Sequence, residues 1–158
     1  MKTARFEDIA DEFKRRVEHI VWCSATTVDT RGRPRSRILH PVWDGPVGWI
    51  ATGRHSLKGK HLAKNRFLSL SYWTPEQEQV HAECATSWEE RVEEKRRLWD
   101  FFKELPAPVG YDPGLFFQGG PEDPECGFLR LDPWRLELWS LNDLITGTAP
   151  QVWRPASS

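Results

Sequence analysis

Three short β-forming segments separated by tight turns are the feature that most constrains how this chain can fold. Residues 21–28 are rich in β-branched and aromatic side chains and end at a turn, Asp29-Thr30-Arg31-Gly32. Residues 35–43 follow and end at Asp44-Gly45-Pro46, after which residues 47–52 resume the β pattern. Turns this short join antiparallel neighbours, whereas parallel strands need a long crossover. This part of the chain therefore predicts an antiparallel meander.

The rest of the chain adds three predicted strands and two main helices. Strand patterns occur at residues 67–73, 79–85 and 128–139. Apolar residues at spacings of three and four predict a first helix over residues 6–20, and capping residues at 86–90 predict the start of a second. Six strands that do not alternate with helices favour a mainly β, α+β fold, a six-stranded antiparallel barrel with flanking helices.

Length and composition set the general class of the protein. The 158 residues suffice for one domain, predicted over residues 1–145, with a C-terminal tail over residues 146–158. The formal net charge of -1 excludes a globally basic nucleic-acid binder, and no apolar stretch approaches the ~20 residues that span a bilayer. The charged N-terminal segment is unlike a signal peptide, and three widely spaced cysteines are typical of a reducing compartment. We expect a cytoplasmic protein with no nucleic-acid partner and no membrane partner.

Basic residues are concentrated in one part of this otherwise neutral chain. Residues 31–66 contain nine Lys and Arg residues and a single acid, Asp44. Ser56 is placed to cap a short helix, and Lys58 would lie in the first turn of that helix. A cation is unfavourable beside the positive end of the helix dipole, and a bound anion would offset this repulsion. Arg37 comes from an interior strand, where an unpaired guanidinium is costly. The pattern predicts a confined site for an anion such as phosphate, and the alternative is a set of solvated surface charges.

The nucleotide-binding, acyl-transfer and metal motifs that could compete with this interpretation are missing. Gly59-Lys60 does not form a P-loop, because Arg54 stands where the first glycine belongs and His61 where the Ser or Thr belongs. No G-x-S-x-G motif marks a nucleophilic serine. His55 and His61 lie six residues apart without a carboxylate or thiol between them, so no metal site is predicted.

Six short motifs follow one another along residues 21–139. In chain order they are Arg37-Ile38-Leu39-His40, Trp49-Ile50-Ala51-Thr52, the turn Ser56-Leu57-Lys58, Leu62 to Asn65, Gln79-Val80 and Glu137-Leu138-Trp139. In this order the chain resembles the pyridoxamine 5'-phosphate oxidase-like FMN-binding split-barrel superfamily, and most closely its general stress protein branch. The resemblance implies a Greek-key split β-barrel that binds FMN at the interface of a homodimer.

The resemblance also implies a role for each matched residue. Arg37, Ser56 and Lys58 would hold the FMN phosphate, and the backbone of residues 38–40 and 51–52 would follow the flavin ring. Gln79 would hydrogen-bond the ring system, and Trp139 would reach the flavin of the partner subunit. The implied cofactor-binding residues are Arg37, Ile38, Leu39, His40, Ala51, Thr52, Ser56, Lys58, Gln79 and Trp139. His40 is the one titratable side chain expected to face the ring.

Two departures from the family pattern bear on the activity. Leu57 stands where the vitamin B6 oxidases usually have a second cation, and Ser140-Leu141-Asn142-Asp143 replaces their C-terminal Arg- and His-bearing substrate motif. The resemblance therefore implies an FMN-dependent oxidoreductase acting on a small molecule other than pyridoxamine phosphate. The alternatives are a non-catalytic flavin-binding stress or carrier module and a reductase that uses a deazaflavin coenzyme in the same groove.

A long loop follows the second main helix. Residues 106–126 include five prolines and four glycines, with Tyr111, Phe116 and Phe117 among them. A structureless loop of this length inside a compact domain is either a functional cover or a sign that its elements are wrongly assigned. Tyr111, Phe116 and Phe117 are candidates to cover the pocket, whereas packing in the core is the role expected first for the two phenylalanines.

Overall fold

The computed structural model of the protein describes residues 1–157 and contains one nine-stranded sheet with four α-helices. The strands are β1 Lys2–Thr3, β2 Cys23–Val28, β3 Pro34–Leu39, β4 Val42–Asp44, β5 Val47–Gly53, β6 Phe67–Trp73, β7 Gln79–Trp88, β8 Cys126–Trp139 and β9 Gln151–Trp153. The helices are α1 Ala10–Ile20, α2 Leu57–Lys64, α3 Val92–Glu104 and α4 Leu141–Thr146. The predicted α+β class is confirmed.

The sheet surrounds the core and leaves two strands, β3 and β5, with an unpaired edge. Its hydrogen-bonded order is β3-β2-β6-β7-β8, and β8 has two further neighbours on its other side. The first part of β8 pairs with β5, and its last part pairs with β9. All pairings are antiparallel except that of β1 with β9. Because β3 pairs only with β2, and β4 covers β5 only over Val47–Trp49, the end of β5 and the free edge of β3 have no strand partner on one side.

The structure has nine strands where the sequence predicted six. The predicted strand over residues 35–43 is two strands, β3 and β4, because Pro41 has no N–H to donate to a ladder and the chain turns there to pair with β5. The other two additions, β1 and β9, are only two and three residues long. β9 lies inside the predicted tail of residues 146–158, where Trp153 is buried against the core.

Alternating side chains of the long strands form the main core. β6 and β7 bury every second residue, as a half-buried sheet requires, and α1 covers one end of this core with Phe13 and Val17. A second, smaller cluster lies under α3, around Phe102 and Phe128. α3 starts at Val92 rather than at the predicted capping residues 86–90, because the first of those continue β7 to Trp88.

The start of α2 lies close to Trp88 at the end of β7, and Trp88 in turn packs on the start of β8. A Cβ atom on Gly59 would lie 2.7 Å from the backbone oxygen of Arg54, and one on Gly127 would overlap the ring of Trp88. Only glycine permits these approaches of backbone to backbone and of backbone to ring. Among residues 1–157, no helix combines the length and the hydropathy that crossing a lipid bilayer requires.

Candidate functional site

Two cations, Arg37 of β3 and Lys58 of α2, meet in a half-buried position. The Arg37 Nη1 atom donates to the backbone oxygen of Ala25 at 3.2 Å and to Thr27 Oγ1 at 2.8 Å. The Lys58 ammonium donates to Ser56 Oγ at 3.2 Å. Within residues 1–157, no carboxylate lies within 4.0 Å of either cation. We call Arg37, Ser56 and Lys58 the cationic site.

The electrostatics of the cationic site favour an incoming anion. Burial lowers the pKa of Lys58, and the nearby positive charge of Arg37 lowers it further. Burial also lowers the pKa of Arg37, with a smaller effect from Arg35. Three N–H groups of Arg37 and two of Lys58 have no acceptor in the described part of the chain. An anion with several oxygens would satisfy these donors and relieve the repulsion between the two cations.

The first turn of α2 adds to this positive potential. Ser56 is its N-cap and accepts a hydrogen bond from the Gly59 N–H at 3.4 Å. The first turn contains no acidic residue, so nothing in it neutralises the positive end of the helix dipole. Exposed N–H groups at such a helix start bind phosphate and other anions in many proteins. The local sequence predicted this arrangement, because it places a capping serine and a lysine two residues apart before an apolar position, Leu62.

A cleft of about 480 Å³ opens beside the cationic site, between the unpaired edges of β3 and β5. Five of the ten predicted site residues line it: Ile38, Leu39, His40, Ala51 and Thr52. Arg37, Ser56 and Lys58 do not line the cleft themselves. Arg37 precedes the lining residue Ile38 in the chain, and the lining residue Gly53 accepts a hydrogen bond from the Ser56 N–H at 3.2 Å, so the cationic site lies next to the cleft. Its lining is mainly apolar, and its size falls within the roughly 300–1,000 Å³ of small-molecule sites.

The loop over residues 106–126 forms one wall of the cleft. Tyr111, Phe116 and Phe117 all line it, together with Pro108 and Gly110. Tyr111 also stacks on Phe102 of α3 with ring centroids 5.4 Å apart, and burial raises its pKa to about 12. Phe116 is exposed at the rim. Tyr111 therefore has both of the roles considered for these aromatic residues: it lines the cleft, and it packs against the smaller core cluster.

His40 lies at the junction of the strand edge and the loop. Its Nε2 atom donates to the backbone oxygen of Val109 at 2.8 Å, since a carbonyl can only accept, and this bond fixes the proton on Nε2. Its ring lies between Trp22 and Tyr111, with centroid distances of 5.0 Å and 4.8 Å. Burial lowers the pKa of His40, and the bond to Val109 opposes that shift. His40 is thus a neutral side chain that borders the cleft and connects β3 to the loop.

Gln79 and Trp139 lie away from both the cleft and the cationic site of their own chain. They are register partners on β7 and β8, at the opposite end of these strands from Trp88. Nine residues at ~3.3 Å each place about 30 Å of strand between Gln79 and Trp88, which borders α2. Gln79 Oε1 accepts from His81 Nε2 at 3.0 Å, and the Trp139 backbone oxygen accepts from Arg16 at 2.9 Å. Neither residue completes the site of a single chain.

The structure also adds residues that the sequence pattern did not indicate. Trp22 and Gly53 line the cleft, and Thr27 and His61 lie behind Arg37. None of the four carries a motif, since their roles depend on which strands and helices become neighbours.

The cysteines do not contribute a reactive group to the cleft. All three are unpaired and buried, and burial raises the pKa of Cys23 to about 12 and that of Cys126 to about 11. Such thiols stay protonated and unreactive at neutral pH. No group of three or more potential metal-ligating side chains occurs within residues 1–157.

The comparisons with known proteins place the chain by its fold. No protein-family model matches the sequence, and no curated protein matches it. Solved structures do match, and they show that the chain has the fold of the pyridoxamine 5'-phosphate oxidase-like proteins, so the resemblance found in the sequence is confirmed for the fold.

Three of the matched structures illustrate this likeness. A protein from Clostridium acetobutylicum related to general stress protein 26 of B. subtilis superposes with a TM-score of 0.70 and 15% identity, over 94% of this chain and 95% of its own. General stress protein 26 from Bacillus anthracis superposes with a TM-score of 0.58 and 19% identity, over 82% of this chain and 99% of its own. An FMN-binding, pyridoxamine 5'-phosphate oxidase-related protein from Nostoc punctiforme superposes with a TM-score of 0.58 and 16% identity, over 86% of this chain and 82% of its own.

Proposed function

We propose that this protein binds FMN, with the phosphate at the cationic site and the flavin ring in the adjacent cleft. The observation that carries the proposal is the pair of half-buried cations, Arg37 and Lys58, which have no carboxylate partner within residues 1–157. They lie next to the apolar cleft, since Arg37 precedes the lining residue Ile38 and the Ser56 N–H donates to the lining residue Gly53. A phosphate dianion matches their two charges, and a planar aromatic ring system matches the apolar lining. The name of the Nostoc protein, which includes FMN binding, supports the same choice of ligand.

The site residues divide the binding between charge and shape. Arg37, Lys58 and the Ser56 hydroxyl would hold the phosphate oxygens. Of Ala51 and Thr52, one directs its peptide N–H and C=O groups towards β8 and the other directs them to the unpaired edge of β5, where they are offered to a ring lying along it. On the other side, Ile38 and Leu39 supply apolar contact.

We further propose that the flavin serves an oxidoreductase reaction on a small molecule. Bound flavin supplies hydride transfer, and the protein has to bind, orient and shield it. His40 presents a neutral imidazole at the cleft wall, and the rings of Trp22, Tyr111 and Phe116 limit the access of water. The other titratable side chain that lines the cleft, Tyr111, has a raised pKa and stays protonated at neutral pH, so the residues present favour redox chemistry over hydrolysis.

The site is proposed to be completed by a second copy of the chain. Ile38, Trp22 and Trp73 are 63%, 58% and 56% exposed, which is unusual for residues of this size. Ile38 lies in one row of cross-strand partners on the outer face of the sheet, with Ser24, Ser71 and His81. The paired residues Gln79 and Trp139 lie beside this row. A homodimer formed through this face would cover the exposed aromatic residues and bring Trp139 of one subunit to the cleft of the other. With three buried free thiols, a reducing cytoplasm is the proposed location.

The test of the proposal is reconstitution of the purified protein with flavins. FMN should bind more tightly than riboflavin, which has the same ring system without the phosphate, and the complex should elute as a dimer. Equal affinities for FMN and riboflavin would contradict the assignment of the cationic site.

Two alternatives share the fold and are separated by turnover. A non-catalytic stress or carrier module would bind FMN tightly and show no redox cycling with nicotinamide donors and small-molecule acceptors. A deazaflavin-dependent reductase would prefer a deazaflavin coenzyme to FMN in the same binding assay.

A further inference from the structure

A buried hydrogen-bonded chain lies directly behind Arg37. Thr27 of β2 is fully buried, and its Oγ1 atom accepts from Arg37 Nη1 at 2.8 Å. The same Oγ1 atom lies 2.9 Å from Nδ1 of His61, which is also buried. Polar groups in such positions are costly unless they are paired, and these three pair with one another. The chain Arg37–Thr27–His61 is called the anchor chain below.

The direction of the bonds in the anchor chain follows from the chemistry of its members. A guanidinium only donates, so Thr27 Oγ1 is the acceptor towards Arg37. A hydroxyl has two lone pairs and one proton, so Thr27 can accept from Arg37 with either tautomer of His61. When the Thr27 hydroxyl donates its hydrogen bond to Nδ1 of His61, the Thr27 oxygen becomes a better acceptor for the guanidinium, since linked hydrogen bonds polarise one another.

The anchor chain determines which part of the guanidinium is free. Both N–H groups of Nη1 are used, one by Thr27 and one by the backbone oxygen of Ala25. The free donors are those on Nε and Nη2. They remain available on the edge of Arg37 that no acceptor within residues 1–157 occupies. Lys58 is close enough for the charge of Arg37 to lower the pKa of its ammonium group, so the two like charges repel each other. Without the anchors, repulsion from Lys58 would favour rotamers of Arg37 that turn away into solvent.

The anchor chain also connects the two structural elements that carry the cations. Arg37 belongs to β3, whereas Lys58 and His61 both belong to α2. Residues three apart on a helix lie on the same side, so His61 fixes the side of α2 that carries Lys58 against the strands. The spacing between the two cations is thereby set by a buried contact rather than by flexible side chains in solvent.

We propose that Thr27 and His61 are positioning residues, which hold Arg37 beside Lys58 before the ligand arrives and thereby determine the preference for a phosphorylated flavin. This inference rests on the proposed FMN site. Preorganisation of this kind gains affinity because the ordering of the side chain is complete before binding. Neither residue belongs to the cationic site itself, so the effect acts through the placement of Arg37 and Lys58.

The experiment compares the ratio of riboflavin to FMN dissociation constants in wild type, Thr27→Val and Thr27→Ser. Valine keeps the shape of threonine and removes the hydroxyl, whereas serine keeps the hydroxyl. We expect Thr27→Val to reduce the preference for FMN about tenfold, in line with the loss of one hydrogen bond to a charged group, and to leave riboflavin affinity unchanged. Thr27→Ser should keep the wild-type ratio, which a purely structural role of the side chain would not require.

A second pair of variants covers the case in which Thr27→Val does not fold. His61→Leu removes the far end of the anchor chain, and His61→Asn can keep a polar atom near the position of Nδ1. We expect His61→Leu to lower the FMN preference about threefold and His61→Asn to restore most of it.

The outcomes separate this inference from the proposal on which it rests. A wild-type protein without preference for FMN would defeat the proposed function and this inference with it. A clear wild-type preference that Thr27→Val and His61→Leu leave unchanged, or equal losses of FMN and riboflavin affinity, would overturn the inference alone.

Discussion

Replacing Lys58 with alanine removes one of the two cations proposed to hold the phosphate. The ammonium has two free donors and lies at the start of α2, so it can form a charge-assisted hydrogen bond to a phosphate oxygen. Loss of a hydrogen bond between charged groups costs about 1.5–3 kcal/mol. At about 1.4 kcal/mol for each factor of ten, FMN affinity should fall roughly 10- to 100-fold.

The structure supplies a matched control for this variant. Lys60 lies on the same helix and is exposed, so Lys60→Ala changes the net charge by the same amount without touching the site. Dissociation constants for FMN and riboflavin are measured by quenching of flavin fluorescence in wild type, Lys58→Ala and Lys60→Ala. If Lys58 contacts the phosphate, we expect one pattern. FMN binding weakens in Lys58→Ala alone, and riboflavin binding is the same in all three proteins. The apo protein should not lose stability, because Lys58→Ala removes a like charge beside Arg37.

Two results would refute this reasoning about Lys58. One is an FMN affinity of Lys58→Ala within twofold of wild type, which would place the phosphate elsewhere. The other is an equal loss in Lys58→Ala and Lys60→Ala, which would show that only the general positive potential matters.

Four further predictions follow from other parts of the structure. Because the pKa of His40 is lowered in the folded state, the unfolded chain binds a proton at this residue first as the pH falls through 6.5, and the free energy of unfolding decreases. His40→Gln should lessen that decrease in denaturant titrations at pH 7 and below, and an unchanged dependence of the unfolding free energy on pH would argue against it. Gly59→Ala should destabilise the protein by about 1–3 kcal/mol despite alanine's higher helix propensity, because its Cβ meets the Arg54 backbone oxygen; a gain in stability would contradict the packing at α2. Phe102→Ala should cost about 3–5 kcal/mol in chemical unfolding, and a loss below 1 kcal/mol would show that the cluster under α3 is not a core. Ile38→Glu should convert the proposed dimer to a monomer in analytical ultracentrifugation, and a dimer that persists would place the interface on another face.

Local sequence patterns predicted those features that depend on neighbouring residues. The six long strand segments, the first helix and the capped start of α2 all follow from alternation, helical spacing and a capping serine. The sequence indicates Arg37 because an arginine on an interior strand needs an anion, and that strand assignment is wrong, since β3 pairs only with β2 and lies at the edge of the sheet. The half-burial of Arg37 comes from its contacts with Ala25 and Thr27 instead. The cleft residues Ile38 to His40 and Ala51-Thr52 came from the family resemblance, and the structure places them together along two unpaired strand edges.

The features that the sequence missed depend on long-range pairing. The anchor residues Thr27 and His61 meet only because β2 and α2 become neighbours, and neither has an unusual sequence context. β9 is three residues long and exists through its contacts with β8 and β1. The start of α3 moved because a strand pairing with β8 extends β7 to Trp88, which outweighs the capping preference of the residues before it. Tertiary contacts decide such competitions, and a local pattern carries no information about them.

The most direct measurement of the central claim is a crystal structure of the protein with FMN bound. The account predicts a phosphate contacted by both Arg37 and Lys58 at the start of α2, with the flavin ring in the cleft between β3 and β5. A flavin bound elsewhere, or a phosphate that leaves either cation without contact, would contradict it.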